Sequence, residues 1–247
     1  MAEKHFYEQK EFTDKSLLPY FRKLIPDFEK KKVFEIGCAE GGLVEILHEN
    51  GMNAAGLELS PERAAIALEK NPALNIFVGD ITDPALTEKI KEIFDVVIMR
   101  EVIEHVGNKN IAFDNIDILL KKGGYLFISF PPKFSPFAGH QQIAKSILKI
   151  VPYLHLLPAG LLKSIAKLFG ESDGYVDEIK LHFSTGCRIK EFESQYKRKG
   201  YSVVREDFFL FRPVYAIRFG LPTIGLPNIP FIREFISFGC ESLLKKE

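Results

Sequence analysis

The sequence predicts an α/β fold built on a mostly parallel sheet. Short apolar strands alternate with amphipathic helices between residues 33 and 130, a pattern typical of parallel strands joined by right-handed crossovers. The first strand runs into a glycine turn, Gly37-Cys38-Ala39-Glu40-Gly41-Gly42, just before a helix. Glycine in such a turn lets the backbone approach a ligand at the end of a strand. We therefore expect a ligand site at the carboxyl ends of the strands.

The bulk composition limits the classes of function. The 247 residues carry 33 basic and 33 acidic side chains, so the formal net charge is zero and no nucleic-acid partner is expected. Three cysteines, Cys38, Cys187 and Cys240, form no C-x-x-C pair, which fits a reducing compartment. No secretory signal is recognisable, and no stretch reaches the roughly 18 apolar residues of a membrane span. We expect one cytoplasmic domain over residues 1–247.

The predicted elements follow in chain order. Residues 14–28 form a helix that Asp14 or Ser16 can cap. Proline after Ser60 marks a further helix start, since proline suits the first helical position. Apolar runs predict strands at 33–36, 54–57, 74–78 and 94–100, with a fifth strand after Gly123-Gly124.

The last third of the chain is expected to complete the sheet. A helix over 190–199 leads into a long strand over 201–211, and residues 213–219 return as its antiparallel partner. Residues 231–245 close the chain as an amphipathic helix. These assignments predict seven strands, the last of them antiparallel.

Acidic residues at the strand ends indicate which ligand binds there. Glu58 ends the second strand, and a carboxylate at this position can accept both hydroxyls of a ribose. The glycine turn lacks the G-x-G-x-x-G spacing of a pyrophosphate site, and Glu40 would bring negative charge close to a phosphate. Glu35, before the first glycine, suits a ligand that carries cationic groups. The pattern favours a nucleoside cofactor other than a dinucleotide.

The turn at 35–42 resembles motif I of the class I S-adenosylmethionine (SAM) methyltransferases, acid-x-Gly-x-Gly-x-Gly, with Ala39 in place of the middle glycine. The strands from about residue 30 to 132 resemble the motifs of this family in order and spacing. The resemblance implies a Rossmann-like seven-stranded sheet with SAM at its carboxyl edge. It implies that SAM contacts Glu35, Gly37, Cys38, Ala39, Gly42, Glu58, Leu59, Gly79, Asp80, Ile81, Arg100 and Glu101.

Within this set the resemblance implies distinct roles. The turn at 35–42 would shape the methionine pocket, Glu58 would hold the ribose, and Leu59, Asp80 and Ile81 would contact the adenine. Arg100 and Glu101 would close the pocket. Arg100 could alternatively contact the methyl acceptor or pair with Glu101.

Residues 101–105 carry the candidate catalytic groups. Methyl transfer from a sulfonium mainly requires alignment and exclusion of water, but an oxygen acceptor must also lose a proton. Glu101, Glu104 and His105 form E-x-x-E-H, in which the two glutamates stand one helical turn apart. His182 is a second candidate base, so the predicted catalytic residues are His105, His182 and Glu104.

The same run resembles the metal-binding run of small-RNA 2′-O-methyltransferases and of quinone-pathway O-methyltransferases. That resemblance implies an alternative in which Glu101, Glu104, His105 and His182 bind Mg²⁺ or Zn²⁺, with His140 as the reserve ligand. His140 could instead contact the substrate or cap a helix, and we interpret His155 as structural. Catalysis by proximity alone is the third alternative.

Residues 133–180 lie outside the minimal fold. No acidic residue occurs between Asp117 and Glu171, whereas seven lysines do. Prolines at 152 and 158 divide the segment into two predicted basic helices with apolar faces. The segment is therefore either a helical lid over the active site or an element that contacts an anionic membrane through residues 140–170.

Together these observations predict a SAM-dependent methyltransferase for a small, partly apolar acceptor, a description that includes lipid-like molecules. We expect O-methylation of a hydroxyl, because the overall pattern most resembles quinone-pathway O-methyltransferases. An N- or C-methyltransferase of the same fold and a non-catalytic SAM-binding module remain alternatives.

Overall fold

The computed structural model describes residues 2–247, with side chains from residue 6 onward. Its strands are β1 (Val33–Ile36), β2 (Ala54–Glu58), β3 (Asn75–Val78), β4 (Phe94–Arg100), β5 (Leu120–Phe130), β6 (Tyr201–Phe211), β7 (Ile224–Leu226) and β8 (Gly239–Lys246). They form one eight-stranded sheet in the order β3-β2-β1-β4-β5-β8-β6-β7. The predicted α/β class is confirmed, whereas the predicted count of seven strands is one too low.

Helices cover the sheet and connect its strands. They are α1 (Ala2–Phe12), α2 (Leu18–Leu24), α3 (Gly42–Glu49), α4 (Pro61–Lys70), α5 (Leu86–Ile90), α6 (Lys109–Leu119), α7 (Ala159–Leu168), α8 (Asp173–Thr185), α9 (Ile189–Arg198), α10 (Pro213–Phe219) and α11 (Ile232–Ile236).

Strands β1 to β5 are parallel to one another and bring their carboxyl ends to one edge. All four residues of β1 are buried, since it lies between β2 and β4 with helices over both faces. One core cluster contains Phe34 with Phe113 and Phe192, and a second contains Phe21, Leu43 and Phe127. This two-sided core explains why β1 and β4 are mostly apolar.

Two elements predicted for the last third of the chain are wrong, the helix over 231–245 and the strand over 213–219. Residues 239–246 form β8, which is antiparallel to both β5 and β6, and only Ile232–Ile236 of the predicted helix over 231–245 is helical. The first six residues of β8 are buried, because this strand occupies the interior of the sheet. The buried residues of β8 include Glu241 and Ser242 beside Leu243 and Leu244, so the sequence shows neither the apolar alternation nor the continuous apolar run that indicates a strand.

Residues 213–219 form helix α10 and not the predicted strand. Pro213 occupies the first helical position, for which its fixed φ is suited. The antiparallel partners of β6 are β7 and β8.

The predicted helix over 14–28 is also wrong in its bounds. Helix α1 begins at Ala2, a π-helical turn spans Thr13–Leu17, and α2 ends at Leu24. Ile25 is extended, as expected for a residue that precedes proline. Neither Asp14 nor Ser16 caps a helix.

Residues 131–188 form the insertion between β5 and α9. The first of the two predicted helices is replaced by three 3-10 turns, Gln141–Ile143, Ile147–Ile150 and Leu154–Leu156. Helix α7 begins directly after Pro158, and α8 follows it. The insertion has its own small core, formed by α7 and α8 around Leu162 and Ile179.

Candidate functional site

The glycine turn after β1 is held against β2. The amides of Gly37 and Cys38 both donate to Leu57 O, at 2.7 and 3.0 Å. Gly37 has φ +73°, and a Cβ there would lie 2.2 Å from Val102 Cγ2, so only glycine fits. Ala39 also has a left-handed backbone, with φ +54°, which explains why the family motif has glycine at its position.

Glu58 is fixed by the turn it faces. Its Oε2 accepts the Ala39 amide at 2.7 Å and its Oε1 accepts the Ser60 amide at 3.0 Å. The side chain is buried, at 6% exposure, yet it lines a cavity at the carboxyl ends of the strands. Each oxygen keeps a lone pair for a further donor, so the carboxylate is positioned to accept two hydroxyls.

A cavity of about 500 Å³ opens at the carboxyl ends of β1, β2 and β4. This size lies within the ~300–1,000 Å³ of typical small-molecule sites. Ten of the predicted SAM contacts line it: Glu35, Gly37, Ala39, Glu58, Leu59, Gly79, Asp80, Ile81, Arg100 and Glu101. Leu59 is 66% exposed, an unusual state for leucine, so it offers an apolar face to a ligand ring.

Two predicted contacts, Cys38 and Gly42, do not line the cavity. Cys38 is fully buried with Val44 and Leu74. A Cβ on Gly42 would lie 2.8 Å from Gln9 Cβ. Cys38 therefore packs the turn against α3, and Gly42 allows the close approach of α1.

Glu35 and Arg100 form an ion pair across the floor of the cavity. Arg100 donates to Glu35 Oε1 from Nη2 at 2.6 Å and from Nε at 3.1 Å. Both side chains are largely buried. The alternative pairing of Arg100 with Glu101 is not formed. The pair places both charge signs where a zwitterionic amino-acid group could bind.

The roof of the cavity was missed by the sequence analysis. Glu8, Gln9 and Phe12 of α1 line it, together with Arg212 and, from α10, Val214 and Arg218. Arg218 Nε donates to Glu8 Oε2 at 3.1 Å and joins the two helices. One signal for this helix is Pro213 after Arg212, because proline suits the first helical position.

Glu101 is bound by an arginine from the other half of the sheet. Arg212 donates through Nη1 to Oε2 at 2.6 Å and through Nη2 to Oε1 at 2.5 Å. Glu101 is 44% exposed toward the cavity. Desolvation opposes its ionisation, but the Arg212 guanidinium outweighs this effect and holds the pKa of Glu101 below its ordinary value.

Glu104 does not share a helix face with Glu101. Glu101 has φ +54°, and only Ile103–His105 forms a short 3-10 turn. Glu104 is 6% exposed and lies outside the cavity lining. Burial and the negative charge of Glu101 raise the pKa of Glu104 well above its ordinary value, which favours the protonated carboxyl. The one-turn spacing inferred from the sequence is therefore wrong.

His105, His140 and His182 converge beside the cavity. His105 lies in the turn after β4, whereas His140 and His182 belong to the insertion, His182 on α8. His105 also lines the cavity. Ring centroids are 5.2 Å apart for His105 and His140, 5.1 Å for His105 and His182, and 4.0 Å for His140 and His182. His140 precedes a 3-10 turn without a side-chain cap.

The environment favours the neutral forms of His105 and His140. Burial, followed by His182 and His105, lowers the pKa of His140 to about 4. Burial and the neighbouring His182 also lower the pKa of His105. His155, in contrast, is fully buried and lies against Gly139 and Phe183, which supports its structural interpretation.

The cavity residues fit SAM. Gln9 Oε1 is buried and has no hydrogen-bond partner among the described residues, so it can accept a donor from a ligand. The Glu58 carboxylate can accept ribose hydroxyls, and the exposed Leu59 can pack on adenine. SAM bound there would supply a sulfonium methyl group for transfer.

The metal set implied by the E-x-x-E-H resemblance fits less well. Arg212 donates to both oxygens of Glu101, and Glu104 is buried outside the cavity lining. Neither glutamate belongs with the histidines in a group of converging metal-binding atoms, which consists of His105, His140 and His182.

Comparisons with known proteins identify the family. A family model for the methyltransferase domain matches residues 7–177. The ubiquinone biosynthesis O-methyltransferase of Pseudomonas fluorescens (strain Pf0-1) is 32% identical over 101 residues, which cover 40% of this chain and 44% of that protein. The chain thus spans less than half the length of this curated relative.

Solved structures share the fold at low identity. A SAM-dependent methyltransferase from Thermotoga maritima, described as a possible histamine N-methyltransferase, has a TM-score of 0.56 and 16% identity over 99% of this chain and 95% of its own. Magnesium protoporphyrin IX methyltransferase from Synechocystis PCC 6803, solved with bound S-adenosylhomocysteine, has a TM-score of 0.56 and 14% identity over 98% and 84%. The predicted family is confirmed. By its domain match and its fold, this chain belongs to the SAM-dependent methyltransferase family.

Proposed function

We propose that the protein transfers the methyl group of SAM to a hydroxyl of a small, partly apolar acceptor. The observation that carries this proposal is the position of His105, which lines the cavity beside Glu101. A neutral imidazole there can take the proton that a hydroxyl has to lose. The Glu101 carboxylate favours the imidazolium that results. Similarity to a ubiquinone biosynthesis O-methyltransferase also supports an oxygen acceptor.

The proposed cofactor contacts run from the floor of the cavity to its outer end. Glu35 and Arg100 face the amino and carboxylate groups of the methionyl part. Glu58 holds the ribose, while Leu59 and Asp80 face the adenine, together with Ile81. The methyl group then points toward His105. Glu104 makes no contact in this arrangement because it lies outside the cavity.

Alignment supplies the rest of the proposed catalysis. A displacement at a sulfonium methyl requires the acceptor oxygen in line with the breaking bond. The roof formed by α1 and α10 excludes water from one side of the cavity. On the other side, His140 and His182 of the segment between β5 and α9 lie against His105, which supports the proposal that this segment acts as a lid.

The test is methyl transfer to three matched acceptors. They are a catechol with a prenyl chain, the same catechol without the chain, and the aniline that corresponds to the catechol. We expect an O-methylated product, formed faster from the prenylated catechol, with product identity read by mass spectrometry. A methylated amine or a methylated ring carbon would refute O-methylation. Tight S-adenosylhomocysteine binding with no product from any acceptor would favour a non-catalytic module.

We also propose that the insertion contacts an anionic membrane. Ile143, Ile147, Ile150, Leu161 and Leu168 are between 50% and 81% exposed. The exposed Lys145, Lys149 and Lys167 accompany them, and no acidic residue lies between 117 and 171. Apolar side chains flanked by lysines suit an anionic lipid surface. Within residues 2–247, no helix is long and apolar enough to cross a bilayer.

The connection between β6 and β8 extends this apolar surface. Tyr153 of the insertion donates to Phe235 O at 3.0 Å, and Phe134 stacks on Phe235 with a centroid distance of 5.3 Å. Nearby, Phe231 is 75% exposed and Phe219 is 66% exposed. Since α10 also lines the cavity, an acceptor with an apolar chain could enter the site from this surface.

Charge reversal tests the membrane contact. Lys149→Glu combined with Lys167→Glu should abolish flotation with vesicles of anionic phospholipid. Lys23→Glu combined with Lys122→Glu is the matched control, because both lysines are exposed and lie outside the insertion. Equal flotation of the two double variants, or equal binding to zwitterionic vesicles, would refute the proposed surface.

A further inference from the structure

The three converging histidines form a donor set that the sequence motif does not describe. The nitrogen atoms that His105, His140 and His182 can offer all lie within 4.8 Å of one another. By contrast, the glutamates of E-x-x-E-H are held elsewhere, Glu101 by Arg212 and Glu104 in the core. Of the four residues in the motif-based set, only His105 and His182 reach this place.

The nitrogens are near enough to share one ion once the rings rotate. Zinc–nitrogen bonds of about 2.0–2.1 Å in a tetrahedron place the nitrogens about 3.3 Å apart. The rings of His140 and His182 are stacked at a centroid distance of 4.0 Å, so at least one of them must rotate for its nitrogen to point at the ion. Three protein ligands leave a fourth coordination position open. Because His105 also lines the cavity, this open position would face the cavity.

One ring already has the outer partner that metal-bound histidines usually have. Glu178 Oε1 lies 3.3 Å from His182 Nε2. A carboxylate on one ring nitrogen orients an imidazole and increases its basicity as a ligand. This contact leaves Nδ1 of His182 for an ion.

We propose that His105, His140 and His182 bind one divalent transition-metal ion, in place of the set of two glutamates and two histidines that the motif resemblance implies. Three imidazoles favour ions such as Zn²⁺ or Co²⁺, whereas Mg²⁺ and Ca²⁺ prefer oxygen ligands. An ion held there would lower the pKa of a hydroxyl that it binds.

This inference rests on the proposed function for its catalytic meaning, since the open position lies where the acceptor hydroxyl would be. With an ion bound, His105 is a ligand and no longer the base. Ion binding itself can be measured without any acceptor, so its failure and the failure of O-methylation are separate results.

The experiment uses metal-free, tag-free protein titrated with Co²⁺ and, separately, with Zn²⁺. Cobalt binding is read by visible absorption and zinc binding by calorimetry. We expect one ion per wild-type chain. Loss of a residue that hydrogen-bonds to a metal ligand typically lowers metal affinity by about 10- to 100-fold. His140→Ala and His182→Gln each remove a ligand itself, so each should lower metal affinity by more than about 100-fold.

Matched variants make the result specific. Glu104→Gln tests the motif-based set and should leave the metal affinity unchanged. His48→Ala removes an exposed histidine outside the site and should also leave it unchanged. S-adenosylhomocysteine titrations of every variant show that the fold and the cofactor cavity are retained.

Three results would overturn the proposal. Wild-type protein could fail to bind one ion per chain. His140→Ala and His182→Gln could keep wild-type affinity while they still bind S-adenosylhomocysteine. Glu104→Gln could lose affinity, which would assign the ion to the glutamates.

Discussion

Replacement of Glu58 by alanine should weaken the binding of S-adenosylhomocysteine. The carboxylate accepts two backbone amides, from Ala39 at 2.7 Å and Ser60 at 3.0 Å, and under our proposal it also accepts the ribose hydroxyls. Loss of a hydrogen bond to a charged group costs about 1.5–3 kcal/mol. That range corresponds to a roughly 10- to 150-fold increase in Kd.

The same substitution should lower stability without a ligand. The Ala39 amide loses its acceptor, and an unsatisfied buried donor costs about 1–3 kcal/mol. Thermal or chemical denaturation of the ligand-free protein measures this cost separately. Glu69→Ala is the matched control, because Glu69 is an exposed glutamate on α4 and should change neither quantity.

Calorimetric titrations with two ligands separate a direct contact from a loop effect. One ligand is S-adenosylhomocysteine, and the other is its analogue without the two ribose hydroxyls. If Glu58 holds the hydroxyls, the variant and the wild type should bind the analogue with similar affinity. An equal loss of affinity for both ligands would refute the ribose contact and leave Glu58 as a support of the glycine turn.

Three further predictions follow from the described contacts. Gly37→Ala should abolish S-adenosylhomocysteine binding and unfold at a lower denaturant concentration than Gly51→Ala. Both glycines have φ +73°, but only at Gly37 would a Cβ clash with a neighbour, Val102. Equal denaturation curves for the two variants would contradict this prediction. Burial raises the pKa of Glu241 to about 7 from 4.5, so the folded state keeps this proton up to a higher pH than the unfolded state does. The free energy of unfolding therefore falls as pH rises between these two values. Glu241→Gln removes this loss of stability. The free energy of unfolding of the variant, measured relative to wild type, should increase by roughly 3 kcal/mol between pH 4 and pH 8. A difference between the two proteins that does not change with pH would contradict the raised pKa of Glu241. Arg218→Gln breaks the ion pair between Arg218 and Glu8 in the roof of the cavity, which is worth at most about 1 kcal/mol at this exposure. The dissociation of S-adenosylhomocysteine, measured by stopped flow, should therefore accelerate up to ~5-fold. An unchanged rate would show that this ion pair does not limit ligand release.

Local signals sufficed for the parallel half of the sheet and for the cofactor end of the site. The glycine turn and Glu58 lie close together because parallel strands bring their carboxyl ends to one edge. A motif that is continuous in sequence therefore remains continuous in space. Ala39 departs from the motif but keeps the backbone conformation that the motif requires.

The acceptor end depends on contacts between residues far apart in the sequence. Glu101 pairs with Arg212, and His105 meets His140 and His182, so no local pattern could have placed them. The E-x-x-E-H spacing suggested a helix face, but the chain bends at Glu101 and only a short 3-10 turn follows. For β8, a buried interior strand has no alternation, and its assignment depends on its neighbours in the sheet.

The position of β8 has a consequence for synthesis on the ribosome. Strand β5 pairs with β4 on one side and with β8 on the other. From Phe130 at the end of β5, about 110 further residues must be made before β8 begins at Gly239. At 5–20 residues per second this takes about 5–20 s, during which the open edge of β5 can pair with another chain. The nascent protein is therefore most vulnerable to aggregation late in translation, and a chaperone that covers this edge should increase the yield of folded enzyme.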